Sequence, residues 1–206
     1  MKKLPILLVL AFATGAQAQT LEDAVAAYQK GELETAAQQF AALAEAGDAK
    51  AQYNLAVLYE KGEGVAQDSD KALAWYQKAA EAGNVNAQYN LGVLYSEGRG
   101  VPQDYVQARA WYEKAAVQGY AAAQYNLGIM CANGWGGPKD NGQARAWYER
   151  AAEQGDAKAQ TNLGVLYADG RAGVQDYALA RAWWEKAAAQ GDAKAQIALQ
   201  MLDDLG

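Results

Sequence analysis

Apolar positions along this chain fall at helical spacing and return every 36 residues. Ala51, Leu55 and Tyr59 stand at i, i+4 and i+8, on one face of a helix. The set recurs as Ala87, Leu91 and Tyr95, then Ala123, Leu127 and Cys131, then Ala159, Leu163 and Tyr167, and it starts once more at Ala195. A second amphipathic stretch, Ala72, Trp75, Tyr76, Ala79 and Ala80, keeps the same interval, which Trp111, Trp147 and Trp183 mark. This pattern predicts helical hairpins that bury their apolar faces only against neighbouring hairpins, which is a solenoid. Four full units span 48–83, 84–119, 120–155 and 156–191. Residues 19–47 read as an N-terminal capping hairpin, with Ala24, Ala27 and Tyr28 before Gly31 and Ala36, Ala37, Phe40 and Ala44 after it, and without the long loop of later units. Residues 192–206 read as a lone capping helix with Leu199 and Leu202 on its apolar side.

The segments between helices are glycine rich: Gly62 to Val65, Gly98 to Pro102, Gly134 to Pro138 and Gly170 to Val174. With no strand before them and no Lys-Ser/Thr after them they are helix stops and turns, not phosphate cradles. Asp68, Asp104, Asp140 and Asp176 are placed to cap the second helices, and Gly83, Gly119, Gly155 and Gly191 to end them. Gly92, Gly128 and Gly164 lie inside first helices. A glycine there costs about 0.5 to 1 kcal/mol relative to alanine, so close helix contact is the expected reason for it.

Residues 1–18 stand apart as a secretory signal peptide, with Lys2 and Lys3, the apolar run Leu4 to Phe12, and Ala16-Gln17-Ala18 as a small-x-small cleavage site. Cleavage would leave Gln19 first, and without a cysteine there no lipid anchor is indicated. No later apolar run is long enough for a membrane span. The expectation is a soluble exported protein, periplasmic in the simplest case. Removing the two leader lysines leaves 16 basic against 24 acidic residues, net −8, which disfavours nucleic acid and anionic lipid as partners. Cys131 is the lone cysteine, so no disulfide forms within the chain; it takes the place of a tyrosine and reads as a small buried hydrophobe.

The pattern Ala-x-x-x-Leu-Gly-x-x-Tyr-x-x-Gly-x-Gly-Val-x-x-Asp-x-x-x-Ala-x-x-Trp-Tyr-x-Lys-Ala-Ala-x-x-Gly resembles the Sel-1-like repeat, a relative of the tetratricopeptide repeat with a longer inter-helix loop. It covers residues 48–206 well and 21–47 loosely. The resemblance implies an all-α fold, a right-handed α-α superhelix whose first helices line the concave surface. It also implies an adaptor or scaffold role in protein complexes, exported members serving envelope assembly, signalling or host contact. Cysteine-rich secreted members staple each repeat with a disulfide; this chain cannot, and any β-lactamase-like activity of that branch is not carried over.

Catalysis finds little support. Histidine is absent, Ser69 and Ser96 lie in no nucleophile motif, and Cys131 has no histidine to activate it. Glu81, Glu113, Glu149, Glu153 and Glu185 recur among lysines and arginines, as helix-face charge pairing requires. No metal site or cofactor is expected. Binding along the first helices is the stronger reading. Tyr53, Tyr89 and Tyr125 form one row that Thr161 interrupts; Val57, Val93, Ile129 and Val165 form a second; Asn54, Asn90, Asn126 and Asn162 form a third. An asparagine ladder offers one donor and one acceptor per unit to an extended peptide, or else holds a neighbouring helix or loop carbonyl. Residues that vary between units, Lys50, Asn86, Ala122, Lys158 and Lys194, are candidates for selectivity. Trp135 is a loop contact or folds back on its own loop. The expected function is a non-catalytic periplasmic module binding a protein or peptide, with no nucleic acid and no small-molecule cofactor. The alternative is a secreted factor engaging a host or neighbouring-cell protein; an enzyme acting on envelope polymer is a weaker third.

Overall fold

The computed structural model describes residues 20–171 and 173–204, so the expected leader lies outside the described residues. Among these, the chain forms eleven helices and no strand. The first hairpin is α1 (Leu21–Gln29) and α2 (Leu33–Glu45). Four longer hairpins follow: α3 (Ala49–Lys61) with α4 (Ser69–Glu81), α5 (Val85–Glu97) with α6 (Tyr105–Val117), α7 (Ala121–Asn133) with α8 (Asn141–Glu153), and α9 (Ala157–Asp169) with α10 (Tyr177–Ala189). The last helix is α11 (Ala193–Asp203). Each helix packs on the next in sequence, and α7 also touches α9, so first helices meet along one side of the stack. None of the described helices is long and apolar enough to cross a membrane.

Caps set the hairpin ends. Asp68, Asp104, Asp140 and Asp176 each accept a backbone N–H three residues on, at 2.9–3.0 Å. The backbone N–H of each of these aspartates donates at 2.9 Å to the preceding helix, to Tyr59, Tyr95, Cys131 and Tyr167 in turn, which closes every loop in one geometry. First helices are capped by Asp48, Asn84, Asp156 and Asp192, and in the third unit Tyr120 takes this position with no side-chain bond to give.

Two contacts bring the helices close. A Cβ on Gly92 would lie 2.5 Å from the Tyr112 ring, and Gly128 and Gly164 face Tyr148 and Trp184 as tightly. The second-helix aromatic therefore sits on the bare backbone of the first helix, and fully buried Ala56 packs in the same cluster as Tyr76. The second contact runs between units. A side chain on Gly64 would overlap the Leu33 carbonyl, and one on Gly136 the Tyr105 carbonyl, so these loops lie down on the second helix of the unit before.

A buried glutamine in each first helix also ties units together. Gln52, Gln88, Gln124 and Gln160 donate from Nε2 to the carbonyls of Ala44, Ala80, Ala116 and Ala152, at 3.0–3.1 Å. On the outer side, Lys78, Lys114 and Lys186 lie 3.8–4.0 Å from the centroids of Trp75, Trp111 and Trp183, and Arg150 covers Trp147. Each such cation over an aromatic face is worth about 0.5–1 kcal/mol at an exposed site.

Ordinary helix propensity makes glycine to alanine stabilising by about 0.5–1 kcal/mol. Gly164→Ala is expected to do the reverse here, because the new methyl meets Trp184 at its Nε1. A loss of about 1–3 kcal/mol, read from urea unfolding, is the expected outcome.

Candidate functional site

The three rows lie on the face made by first helices, and all of their members are half-buried. Tyr53, Tyr89 and Tyr125 tilt against Tyr76, Tyr112 and Tyr148 of the same units, with ring centroids 5.8–6.1 Å apart. The asparagine of the following unit comes close to both phenols and works against the rise that burial gives them: Asn90 at Tyr53 and Tyr76, Asn126 at Tyr89 and Tyr112, Asn162 at Tyr125 and Tyr148. These asparagines thus sit beside a tyrosine pair across the unit boundary. Val57, Val93, Ile129 and Val165 pack along the same side.

The fourth rung changes at every position together. Thr161 replaces the first tyrosine, Trp184 the second, and Ala198 the asparagine. The Trp184 Nε1–H donates to the Thr161 carbonyl at 3.1 Å, and the Thr161 hydroxyl turns back to the Ala157 carbonyl. The larger indole fills what the shorter threonine leaves, and with no phenol to sit beside, no asparagine is kept.

Asn54 breaks this rule. The residue 36 positions before Tyr76 is Phe40, which has no hydroxyl, and α1 offers Val25 nearby. Among the described residues Asn54 has no hydrogen-bond partner. Its amide borders an apolar cleft of about 210 Å³ with Val25, Tyr28, Phe40, Tyr53 and Val57. A wider cleft of about 550 Å³ adjoins it, reaching Lys50 and Asn86. At the far end Lys158 and Lys194 line a third, of about 400 Å³, with Tyr125 and Asn162.

One residue of this face escaped the sequence reading. Tyr120 gives up the helix cap and instead lays its ring on Tyr89, with centroids 5.0 Å apart. The interrupted series Asp48, Asn84, Tyr120, Asp156, Asp192 was the available signal.

Burial governs the electrostatics. It pushes the Tyr112 phenol up to about 12, and Tyr148 still further; the Ser96 hydroxyl, 3.3 Å away, and then Asn126 offset part of the rise at Tyr112, and Asn162 does so at Tyr148. Tyr76 is raised by burial and by its 2.6 Å bond to the Glu60 carboxylate. The Cys131 thiol is raised by burial, with the nearby Arg109 guanidinium working against that, so it is a buried thiol and not a nucleophile poised by its surroundings.

Trp135 leans on the preceding unit. It is 41% exposed and stacks on Tyr105, with centroids 5.2 Å apart and planes within 15°. One unit earlier the matching residues are Ser69 and Arg99, and there a hollow of about 180 Å³ remains beside Glu60 and Tyr76.

Stacked helical hairpins with a common inner row define an α-α repeat protein. The Sel1 repeat matches residues 49–84, 85–120, 121–156 and 157–192, and the chain belongs to the Sel1 repeat family, whose members are in general protein-interaction scaffolds. It is similar to a Sel1 repeat protein from Oxalobacter formigenes, 34% identical, with 87% of this chain and 74% of that one covered and a TM-score of 0.83. It is also similar to a protective antigen present in uropathogenic Escherichia coli strains, 42% identical over 77% of this chain with a TM-score of 0.75, although it spans only 34% of that chain. An immunity protein from Pseudomonas aeruginosa is 26% identical, with 84% of this chain and 67% of that one covered and a TM-score of 0.50. No curated protein matches the chain.

The raised phenol of Tyr112 carries a pH dependence. A group held protonated in the fold contributes stability that is complete below its ordinary value of 10.0 and is lost as pH climbs toward about 12. Urea midpoints are expected to fall over that window, by up to about 1.4 kcal/mol per pH unit for each such tyrosine. Tyr112→Phe is expected to flatten the decline.

Proposed function

We propose that this protein is a non-catalytic adaptor of the bacterial periplasm that binds a protein or extended peptide along its first-helix face, the concave side of the superhelix. The observation that carries this reading is Asn54. Its sister asparagines sit beside tyrosine phenols, and where the phenols disappear at the fourth rung the asparagine disappears too. Asn54 is kept without either partner, with an open donor and acceptor at the rim of an apolar cleft. That combination suits an extended segment that seats one apolar side chain and offers its backbone to the amide. Membership of a scaffold family supports the class, and the basic, apolar-cored start of the sequence supports export.

A second reading has one observation in its favour. The 42% identical relative is a protective antigen of uropathogenic Escherichia coli, which suits a secreted factor facing a host protein. The two readings share the binding face and differ in where the partner lives.

A crosslinked pull-down with tagged residues 19–206 in the native envelope is expected to enrich one envelope protein. Asn54→Ala is expected to weaken that capture about tenfold, the loss of one well-placed hydrogen bond, with the far-UV helical signal and thermal midpoint unchanged. Capture that withstands Asn54→Ala would remove Asn54 from the binding face. Recovery of chaperones and abundant proteins alone would favour the secreted reading.

A further inference from the structure

In the second, third and fourth full units the buried first-helix glutamine is used twice. While its Nε2 donates to the preceding unit, its Oε1 accepts from a second glutamine at the end of its own hairpin. Gln118 reaches Gln88 at 2.8 Å, Gln154 reaches Gln124 at 2.8 Å and Gln190 reaches Gln160 at 2.9 Å. The Gln118 Nε2 also lies 3.3 Å from the Gly83 carbonyl and 3.5 Å from that of Lys114, so three oxygens converge on one NH2 group. Gln118, Gln154 and Gln190 all cap exposed helix ends. The donor therefore enters this pocket from the surface.

The first full unit keeps the acceptor and lacks the donor. Gln52 is 7% exposed, its Nε2 is fixed on the Ala44 carbonyl, and its buried Oε1 has no hydrogen-bond partner. Position 82, which corresponds to Gln118, is alanine. Gly47 and Lys78 occupy the places of Gly83 and Lys114 in the repeat, which puts their carbonyls around the same notch. Ala82, the position that lacks the donor, borders the 550 Å³ cleft that also touches Tyr53 and Asn54, so a side chain bound in that cleft passes beside it.

We propose that this notch is a binding site for a primary carboxamide, the side chain of a glutamine or asparagine carried by the partner. Its NH2 group donates to Gln52 Oε1 in the place that Gln118, Gln154 and Gln190 fill elsewhere. The protein's other units show the occupied form. A carboxylate is excluded, since it has no proton to donate and would face oxygen acceptors. An ammonium group would have to shed a tightly held hydration shell to enter, which a neutral amide need not do. The inference rests on the groove reading for the source of the carboxamide; the chemistry of the notch is testable without it.

The probe is propionamide, which matches the glutamine side chain, with propionate as the isosteric control. Both are titrated into 15N-labelled residues 19–206 while the Gln52 side-chain NH2 and the Ala82 and Gly83 amides are followed by NMR. Propionamide is expected to give saturable shifts at these three sites, and propionate none. Ala82→Gln tethers a carboxamide in the notch and is expected to abolish the shifts and raise the thermal midpoint. Ala82→Leu fills the space without a donor and is expected to abolish the shifts without that rise. The proposal is overturned if propionamide gives no shift, if propionate gives the same shift, or if Ala82→Gln shifts as the wild type does, any of which leaves water as the occupant. In the pull-down, capture undiminished by Ala82→Gln overturns the notch as a partner contact and leaves the groove reading standing. Failure of the wild-type protein to capture an envelope partner moves the partner outside the envelope, as the secreted reading has it, and the notch is then decided by the NMR titration alone.

Discussion

The close approach of an aromatic ring to bare helix backbone is the constraint on which the rest of this solenoid depends. Tyr112 and Tyr148 lie on Gly92 and Gly128, and Trp184 lies on Gly164. A hairpin of short helices has too little surface to fold alone, and this contact removes the gap between its two arms. It also fixes how far each second-helix aromatic reaches. From that depth the Tyr76, Tyr112 and Tyr148 phenols come beside the asparagine of the next unit, and a contact made within one hairpin shapes the boundary between two.

The rungs behave as coupled sets rather than as three independent rows. Phenol, amide and phenol occur together, and the substitution of Thr161, Trp184 and Ala198 at the fourth rung replaces all three members at once. Within one chain this is a comparison of sister sites under the same solvent and fold. It separates Asn90, Asn126 and Asn162, each beside a pair of phenols, from Asn54, which has no such pair. The same comparison sets Gln52 apart from Gln88, Gln124 and Gln160.

Much of this was legible in the sequence, because a repeat prints its own alignment. The 36-residue interval gave the hairpins, the Asp68 series gave the caps, and the helical glycines announced the close packing. The asparagine row was harder. Its alternatives, ligand or neighbour, differ by where a side chain points across a unit boundary, and spacing within one helix does not encode that. The tyrosine phenols beside it belong to two different helices of the preceding unit. Trp135 was open for the same reason: its stacking partner, Tyr105, lies 30 positions earlier, outside its own loop. Tyr120 was visible as a missing cap, yet only the ring contact with Tyr89 shows what replaced the lost bond.

The loops that lie down on the unit before give the stack a direction. Gly64 rests on the start of α2 and Gly136 on the start of α6, so at these junctions a unit leans on its predecessor. A unit cannot move outward there without its loop leaving the helix start beneath it, so the contact sets the spacing of the two neighbours. At these two junctions the loop belongs to the later unit and the ledge beneath it to the earlier one, so the stack has a polarity that its near-identical hairpins alone would not give it.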